Sequence, residues 1–167
     1  MLPETRITKT MNGESIMIHL KRTSPDDPDF ACLIALLDED LWKRYAEAQQ
    51  FFSTFNKMKL DAKVVVAYDE GEPAGCGCFR VTEDEHTVEM KRMYVMENRR
   101  GKGIATSILN ELQDWAKQMG KQRAILETGN KQPEAISLYK KLGYQQIDRY
   151  EPYVNSEQSI CMGKNLV

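Results

Sequence analysis

Met93-Tyr94-Val95-Met96-Glu97-Asn98-Arg99-Arg100-Gly101-Lys102-Gly103-Ile104-Ala105-Thr106 runs from a strand, through a turn rich in glycine and base, into a helix start. Glycine lets backbone N–H groups approach an oxyanion with no Cβ in the way. The first turn of a helix adds unpaired N–H donors and a partial positive charge. Together they make a cradle for a diphosphate. Two other phosphate motifs fail on spacing. A Walker A loop needs G-x-x-x-x-G-K-[S/T], which is absent, and a dinucleotide fingerprint needs a third glycine where Thr106 stands. The plainer alternative is that Gly101 and Gly103 only tighten a strand-to-helix turn.

Downstream of the turn, Ile104, Ala105, Ile108, Leu109, Leu112, Trp115, Ala116 and Met119 form one helical stripe, and Gly120 is placed to end it. Arg123 to Glu127 reads as a short strand. Pro133 suits the first turn of a second helix, with Ala135, Ile136, Leu138, Tyr139 and Leu142 inward and Gly143 closing it. Tyr144 to Ile147 and Gln158 to Met162 are two last strand candidates. Upstream, Thr87 to Val95 is a strand, and Lys63 to Tyr68 with Ala74 to Val81 make a hairpin across the Asp69 to Pro73 turn. Phe30 to Ala48 has helical spacing, and Ser15 to Lys21 alternates as a first strand. The order β-α-β-β-β-α-β-α-β-β predicts a sheet with helices on its faces, not a doubly wound sheet.

A chain of 167 residues with 41% hydrophobic and 29% charged residues suits one domain with a real core. A net charge of -2 argues against nucleic acid as a partner. No apolar run reaches the ~20 residues of a membrane span, and the polar stretch Met1 to Asn12 does not resemble a signal peptide. The expected location is therefore cytoplasmic. Cys76 and Cys78 lack a second pair spaced for zinc, so core packing is the expectation for them and no metal is called for.

Three segments carry a family resemblance. Arg100-Gly101-Lys102-Gly103-Ile104-Ala105 resembles the R/Q-x-x-G-x-G/A signature of the GNAT N-acetyltransferases. Glu89 to Val95 is similar to that superfamily's fourth strand. Asn130, Ala135, Tyr139 and Gly143-Tyr144 resemble its N-x-x-x-x-A-x-x-x-Y-x-x-x-G-[F/Y] block. The likeness covers about Val64 to Val167, and the earlier residues only by element order. It implies an α/β (α+β) GNAT acyl-CoA N-acyltransferase fold over residues 1–167, with a mixed central sheet of six to seven strands flanked by helices.

The resemblance also implies acetyl-CoA as co-substrate and an amine acceptor, a small molecule or a peptide. Amides from Arg100, Gly101, Lys102, Gly103, Ile104, Ala105 and Thr106 would hold the diphosphate, and Met93 and Val95 would pair with the pantetheine arm. An amide near Tyr94 would polarise the thioester carbonyl, a contact typically worth about 3 kcal/mol. Tyr139 would protonate the leaving thiolate, its alternative being one more inward aromatic. Asn130 would bond the pantetheine, or else cap a turn. Glu89 resembles the slot of a glutamate base, or else pairs with Lys91; Glu127 is a weaker candidate for the base.

Lys102 is well placed for phosphate charge. Asp38-Glu39-Asp40 reads as a solvated face or a lure for a cationic acceptor. Trp42, Tyr45, Phe51, Phe52 and Phe55, facing Tyr150 and Tyr153, are candidates for the acceptor pocket. His19 and His86 have no partner at meaningful spacing. A different outcome is a non-catalytic acyl-CoA-binding module on the same fold. Oligomeric state, a homodimer included, stays open.

Overall fold

A computed structural model of the chain describes residues 2–46 and 61–167. The elements run β1 (Glu4–Met11), β2 (Glu14–Thr23), α1 (Pro28–Arg44), β3 (Lys63–Asp69), β4 (Glu72–Val81), β5 (Thr87–Val95), a 3-10 turn (Glu97–Arg99), α2 (Ile104–Gln118), β6 (Arg123–Gly129), α3 (Pro133–Lys141), β7 (Gln145–Ile147) and β8 (Ser159–Asn165). The strands form one mixed sheet in the order β1-β2-β3-β4-β5-β6-β8-β7, with β5 and β6 parallel and the other neighbours antiparallel.

The sheet has eight strands where the sequence led us to expect six or seven. The additional strand is β1, which pairs with β2 from Glu4↔Lys21 to Met11↔Glu14. Its signal was the two-residue turn Asn12-Gly13, whose φ values of 51 and 84° suit the hairpin turn that matches strand twist. The polar residues of this edge strand hid it from a reading based on hydrophobicity.

The two faces of the sheet bury different helices. On one face Ile104, Ile108, Leu109, Leu112 and Ala116 of α2 pack with Ile18, Leu20, Val65, Ala67, Phe79 and Leu126. On the other, Phe30 and Leu33 of α1 meet Val64, Val66, Cys76 and Cys78. The alternation along β3 explains the unbroken Val64-Val65-Val66-Ala67 run: both faces are covered, so neither position needs to be polar. Asp27 caps α1 by accepting bonds from the amides of Asp29 (2.9 Å) and Phe30 (3.4 Å), with Pro28 in the first turn. A buried ion pair, Arg22 Nε to Glu111 Oε1 at 2.7 Å, fixes α2 against β2. No helix among the described residues is long and apolar enough to cross a membrane.

Candidate active site

The parallel pair β5–β6 is in register from Thr87↔Arg123 to Met90↔Leu126, and pairing stops there. The cause lies on the far side of β5. Cys76 pairs with Tyr94 and Cys78 with Lys91, so Arg92 and Met93 together oppose the single residue Gly77. This is a β-bulge, and Arg92 takes φ 60°, a conformation costing an L-residue about 1–2 kcal/mol. Gly77 admits it, because a Cβ there would strike the Met93 sulfur. Past the bulge β5 diverges from β6, and a slot opens between Lys91–Val95 and Glu127–Gly129.

One end of the slot is a cavity of about 290 Å³ walled by Met93, Tyr94, Val95, Arg100, Gly101 and Gly103, the first turn of α2 and the inner side of α3. Gly103, at φ 73°, is the N-cap of α2. Its carbonyl accepts from the Ser107 amide (3.1 Å) and hydroxyl (3.0 Å) and from Lys9 Nζ of β1 (2.9 Å). Burial lowers the Lys9 pKa. Arg100 donates from Nε to the Val95 carbonyl at 2.9 Å and lies over the Tyr94 ring. Lys102 is placed otherwise than expected: its Nζ bonds Asp69 at 2.7 Å, and Arg99 reaches the same carboxylate at 3.0 Å. Burial of Asp69 works against its charge, yet these two bonds hold its carboxyl below the usual range. Lys102 therefore braces the loop, and Arg100 is the loop's cation on the cavity wall.

The other end is a cavity of about 100 Å³ lined by Leu41, Tyr45, Lys91, Arg92, Glu127, Thr128 and Gly129 among others. The two cavities share Leu37, Met93, Gln132, Ala135 and Tyr139. Tyr139 thus sits at their junction, buried, with its ring 5.8 Å from Tyr144. Burial, then the nearby Glu127, push its phenol pKa up. Among the described residues its hydroxyl makes no hydrogen bond. Glu127 is the most perturbed carboxyl on the cavity wall. Burial raises it to about 7 against the opposing pull of the Ser159 hydroxyl and Lys91, and its Oε1 has no hydrogen-bond partner.

Tyr45 closes the far wall, and burial pushes its phenol up. Its hydroxyl accepts from the Lys131 amide at 2.8 Å, while Arg44 donates to the Lys131 carbonyl at 3.1 Å and pairs with Glu134. The end of α1 is thereby latched to the loop between β6 and α3.

The expected residues are not all brought together. Glu89 is buried but held in a network: Arg80 Nε bonds it at 2.8 Å, the Tyr150 hydroxyl donates to it at 2.8 Å, and Lys91 lies 4.0 Å away. It lines neither cavity. Asn130 is exposed and also outside both, its amide donating to the Gln158 carbonyl at 2.8 Å. Gln132, two residues on, takes the wall position, and its Oε1 accepts from the Gly129 amide at 3.2 Å.

Tyr150 and Tyr153 pack behind the site with Tyr45 and Cys161. Trp42 is half exposed, and Phe51, Phe52 and Phe55 lie outside the described residues. Asp38 pairs with Arg92 at 2.9 Å and Asp40 with Arg44 at 3.4 Å, so the acidic run is partly neutralised. Cys76 and Cys78 are core thiols, the latter pushed up to about 12 by burial. His19 bonds Glu4 at 3.0 Å at the edge of the sheet, and His86 is exposed. Sequence reasoning missed Arg92, Gln132 and Lys9. Gln132 was findable as the residue just before Pro133; Lys9 lies on a strand that was not foreseen, and the bulge implied near Tyr94 did not say that the Arg92 side chain would line the smaller cavity.

Residues 28–144 match the family described as "Acetyltransferase (GNAT) family". An IAA acetyltransferase of Azospirillum brasilense is 31% identical over 150 residues, covering 89% of this chain and 98% of its own. A Klebsiella pneumoniae crystal structure assigned as an acyl-CoA N-acyltransferase superposes with TM-score 0.74 at 31% identity, covering 89% and 97% of the two chains. An aminoglycoside 6'-N-acetyltransferase complexed with coenzyme A shares the fold at TM-score 0.67 and 18% identity, covering 89% and 97%.

Proposed function

We propose, from the premise that this chain belongs to the GNAT acetyltransferase family, that it moves an acetyl group from acetyl-CoA directly onto a primary amine in a ternary complex. The observation that carries this is the continuous slot: a cavity rimmed by helix-start amides leads to Tyr139, and Glu127 stands just beyond. The amides from Arg100 to Thr106 and the Arg100 guanidinium take the diphosphate. The freed edge of β5, Met93 to Val95, pairs with the pantetheine as a strand would, since pairing with β6 has already ended at Met90.

The acceptor amine must lose its proton to attack. An unperturbed alkylamine with pKa about 10.4 is disfavoured in neutral form by roughly 4.6 kcal/mol at pH 7. Glu127, at about 7, is poised to take that proton, because a base works best when its pKa lies near the working pH. Glu89 is already committed to Arg80 and Tyr150, so Glu127 takes the role of base and Glu89 sits behind it as a fixed charge that favours its protonated form.

As nitrogen bonds to the carbonyl carbon, an amide beside the bulge near Tyr94 receives the oxyanion's charge. The C–S bond then breaks, and Tyr139 gives its proton to sulfur. Burial lifts phenol and thiol pKa values together, so the gap between them governs that transfer, not the raised value of the phenol alone.

The test follows acetyl-CoA-dependent thiol release across a panel of primary amines. Transfer with sequential kinetics and no acetyl-enzyme supports the reading, and tight coenzyme binding with no transfer to any amine refutes it in favour of a binding module.

A further inference from the structure

Among the described residues, four buried side-chain atoms lack a hydrogen-bond partner: Arg92 Nε and Nη1, Glu127 Oε1 and Gln158 Oε1. Three of the four belong to two residues that line the smaller cavity, and these two carry opposite charge. Native interiors seldom leave such groups unpaired, because a buried donor or acceptor without a partner forfeits its hydration for nothing. Their meeting on one cavity wall therefore points to a ligand that supplies both missing partners.

Arg92 is unusual in three respects. Its side chain is 5% exposed, it sits at the bulge with φ 60°, and its one ion pair uses a carboxylate that is itself half exposed. Asp38 Oδ1 lies 2.9 Å from Nη1, but the contact lacks hydrogen-bond alignment. Nε is buried and has no acceptor among the described residues. The other ionisable groups around it are Lys91, its neighbour on β5, and the thiols of Cys76 and Cys78, which burial keeps neutral. A planar guanidinium whose Nε lacks an acceptor matches a carboxylate, which it can engage through two parallel bonds.

We propose that the acceptor is a compact amino acid, its amine meeting Glu127 and its carboxylate the Nε edge of Arg92. This rests on the transferase reading above and names the substrate class for it. The smaller cavity, at about 100 Å³, suits the reacting end of such a molecule. Each charge of the zwitterion answers one orphaned group, so a plain alkylamine or a polyamine would leave Arg92 Nε without an acceptor while occupying the same space. A site built to pair a polar group discriminates strongly against analogues that lack it.

The experiment uses the coenzyme-loaded protein and pairs each amino acid with its own amide: glycine with glycinamide, β-alanine with β-alaninamide, γ-aminobutyrate with its amide. Binding is read by calorimetry on the coenzyme A complex and turnover by thiol release from acetyl-CoA. Basicity works against the proposal for the α-amino pair, since the amide's amine is the more readily neutral. The expected result is at least a tenfold preference for one of the acids in both readouts. Arg92→Met should abolish that preference by raising KM for the acid, with coenzyme affinity unchanged, and Arg92→Lys should restore part of it.

Should Arg92→Met fold poorly, Asp38→Asn decides: removing the resident carboxylate should tighten acid binding several-fold and leave amide binding alone. No preference in wild type, a preference that survives Arg92→Met, or acid binding that Asp38→Asn leaves unchanged, overturns the proposal. Acids bound selectively without any acetyl transfer would uphold the carboxylate site and sink the transferase reading. Transfer without discrimination would do the reverse.

Discussion

The two ends of the slot are built of different material. The end proposed for the coenzyme is mainly main chain: a glycine turn, the opening amides of α2 and the freed edge of β5. The end proposed for the acceptor is side chain: Tyr45 from α1, Arg92 from the bulge, Glu127 from β6 and Tyr139 from α3. A backbone site can serve any sequence that keeps its glycines, whereas a side-chain site has to be rebuilt for each acceptor. The first should therefore respond to changes of shape and the second to changes of charge.

The largest effect that would sharpen this contrast is at Glu127. Removing a positioned base typically costs 10²–10⁴-fold, and Glu127→Gln should lower kcat/KM by about 100-fold or more with coenzyme affinity held. In wild type the rate should rise with pH through about 7, because the carboxyl must be ionised to accept a proton. The variant should lack that limb.

Stability should move the opposite way. The folded pKa of about 7 exceeds the ordinary value of 4.5, so this group's favourable contribution is complete below about 4.5 and lost as pH rises to about 7. Glu127→Gln should then melt higher than wild type at pH 8, by up to about 3 kcal/mol of unfolding free energy. Equal pH dependence of stability in the two proteins would remove Glu127 as the titrating group.

Next in size is a shape change at the coenzyme end. Gly103 stands at φ 73°, and a Cβ there would come within 2.5 Å of Lys9 Nζ. Gly103→Val adds left-handed strain of about 1–2 kcal/mol or more, being β-branched. Calorimetry should show coenzyme affinity down about tenfold or more. Unaltered affinity would mean that the helix-start amides do not hold the diphosphate.

The same contrast explains what was legible in the sequence. Glycines at 101 and 103 before an apolar helical stripe can be read locally, and so could the strand–turn–helix they serve. Glu127, Tyr45 and Arg92 become neighbours only through topology, with more than eighty residues between Tyr45 and Glu127. Spacing suggested Glu89 as the base, but alternation along β5 says nothing about which carboxylate Arg80 will neutralise. Asn130 fitted a family pattern, yet the chain turns outward there and presents Gln132 instead. β1 was hidden by its polar composition, although Asn12-Gly13 announced its hairpin.

Tyr139 joins the two ends, so its loss should divide between them unequally. Tyr139→Phe keeps the ring that packs on Tyr144 and removes only the hydroxyl. Turnover should fall about tenfold, at the lower edge of general acid effects, and coenzyme affinity should stay within twofold. Single-turnover measurement with acetyl-CoA separates the two, and an unchanged chemical step would take the acid role from Tyr139.

The smallest effect tests whether the ends are mechanically separate. Gly129 closes β6, and a Cβ there would land on the Tyr45 hydroxyl that receives the Lys131 amide. Gly129→Ala has no left-handed strain to contend with, so its cost is overpacking, about 1–3 kcal/mol. The cheapest relief is for Tyr45 to swing away, which frees the end of α1 from the loop and widens the acceptor cavity. Acceptor KM should then rise about threefold and the melting temperature drop by several degrees, while coenzyme affinity holds, because no wall of the larger cavity includes Tyr45 or Gly129. If coenzyme affinity falls in step with acceptor affinity, the latch at Tyr45 supports both ends through α3, and the slot is one mechanical unit despite its two kinds of wall.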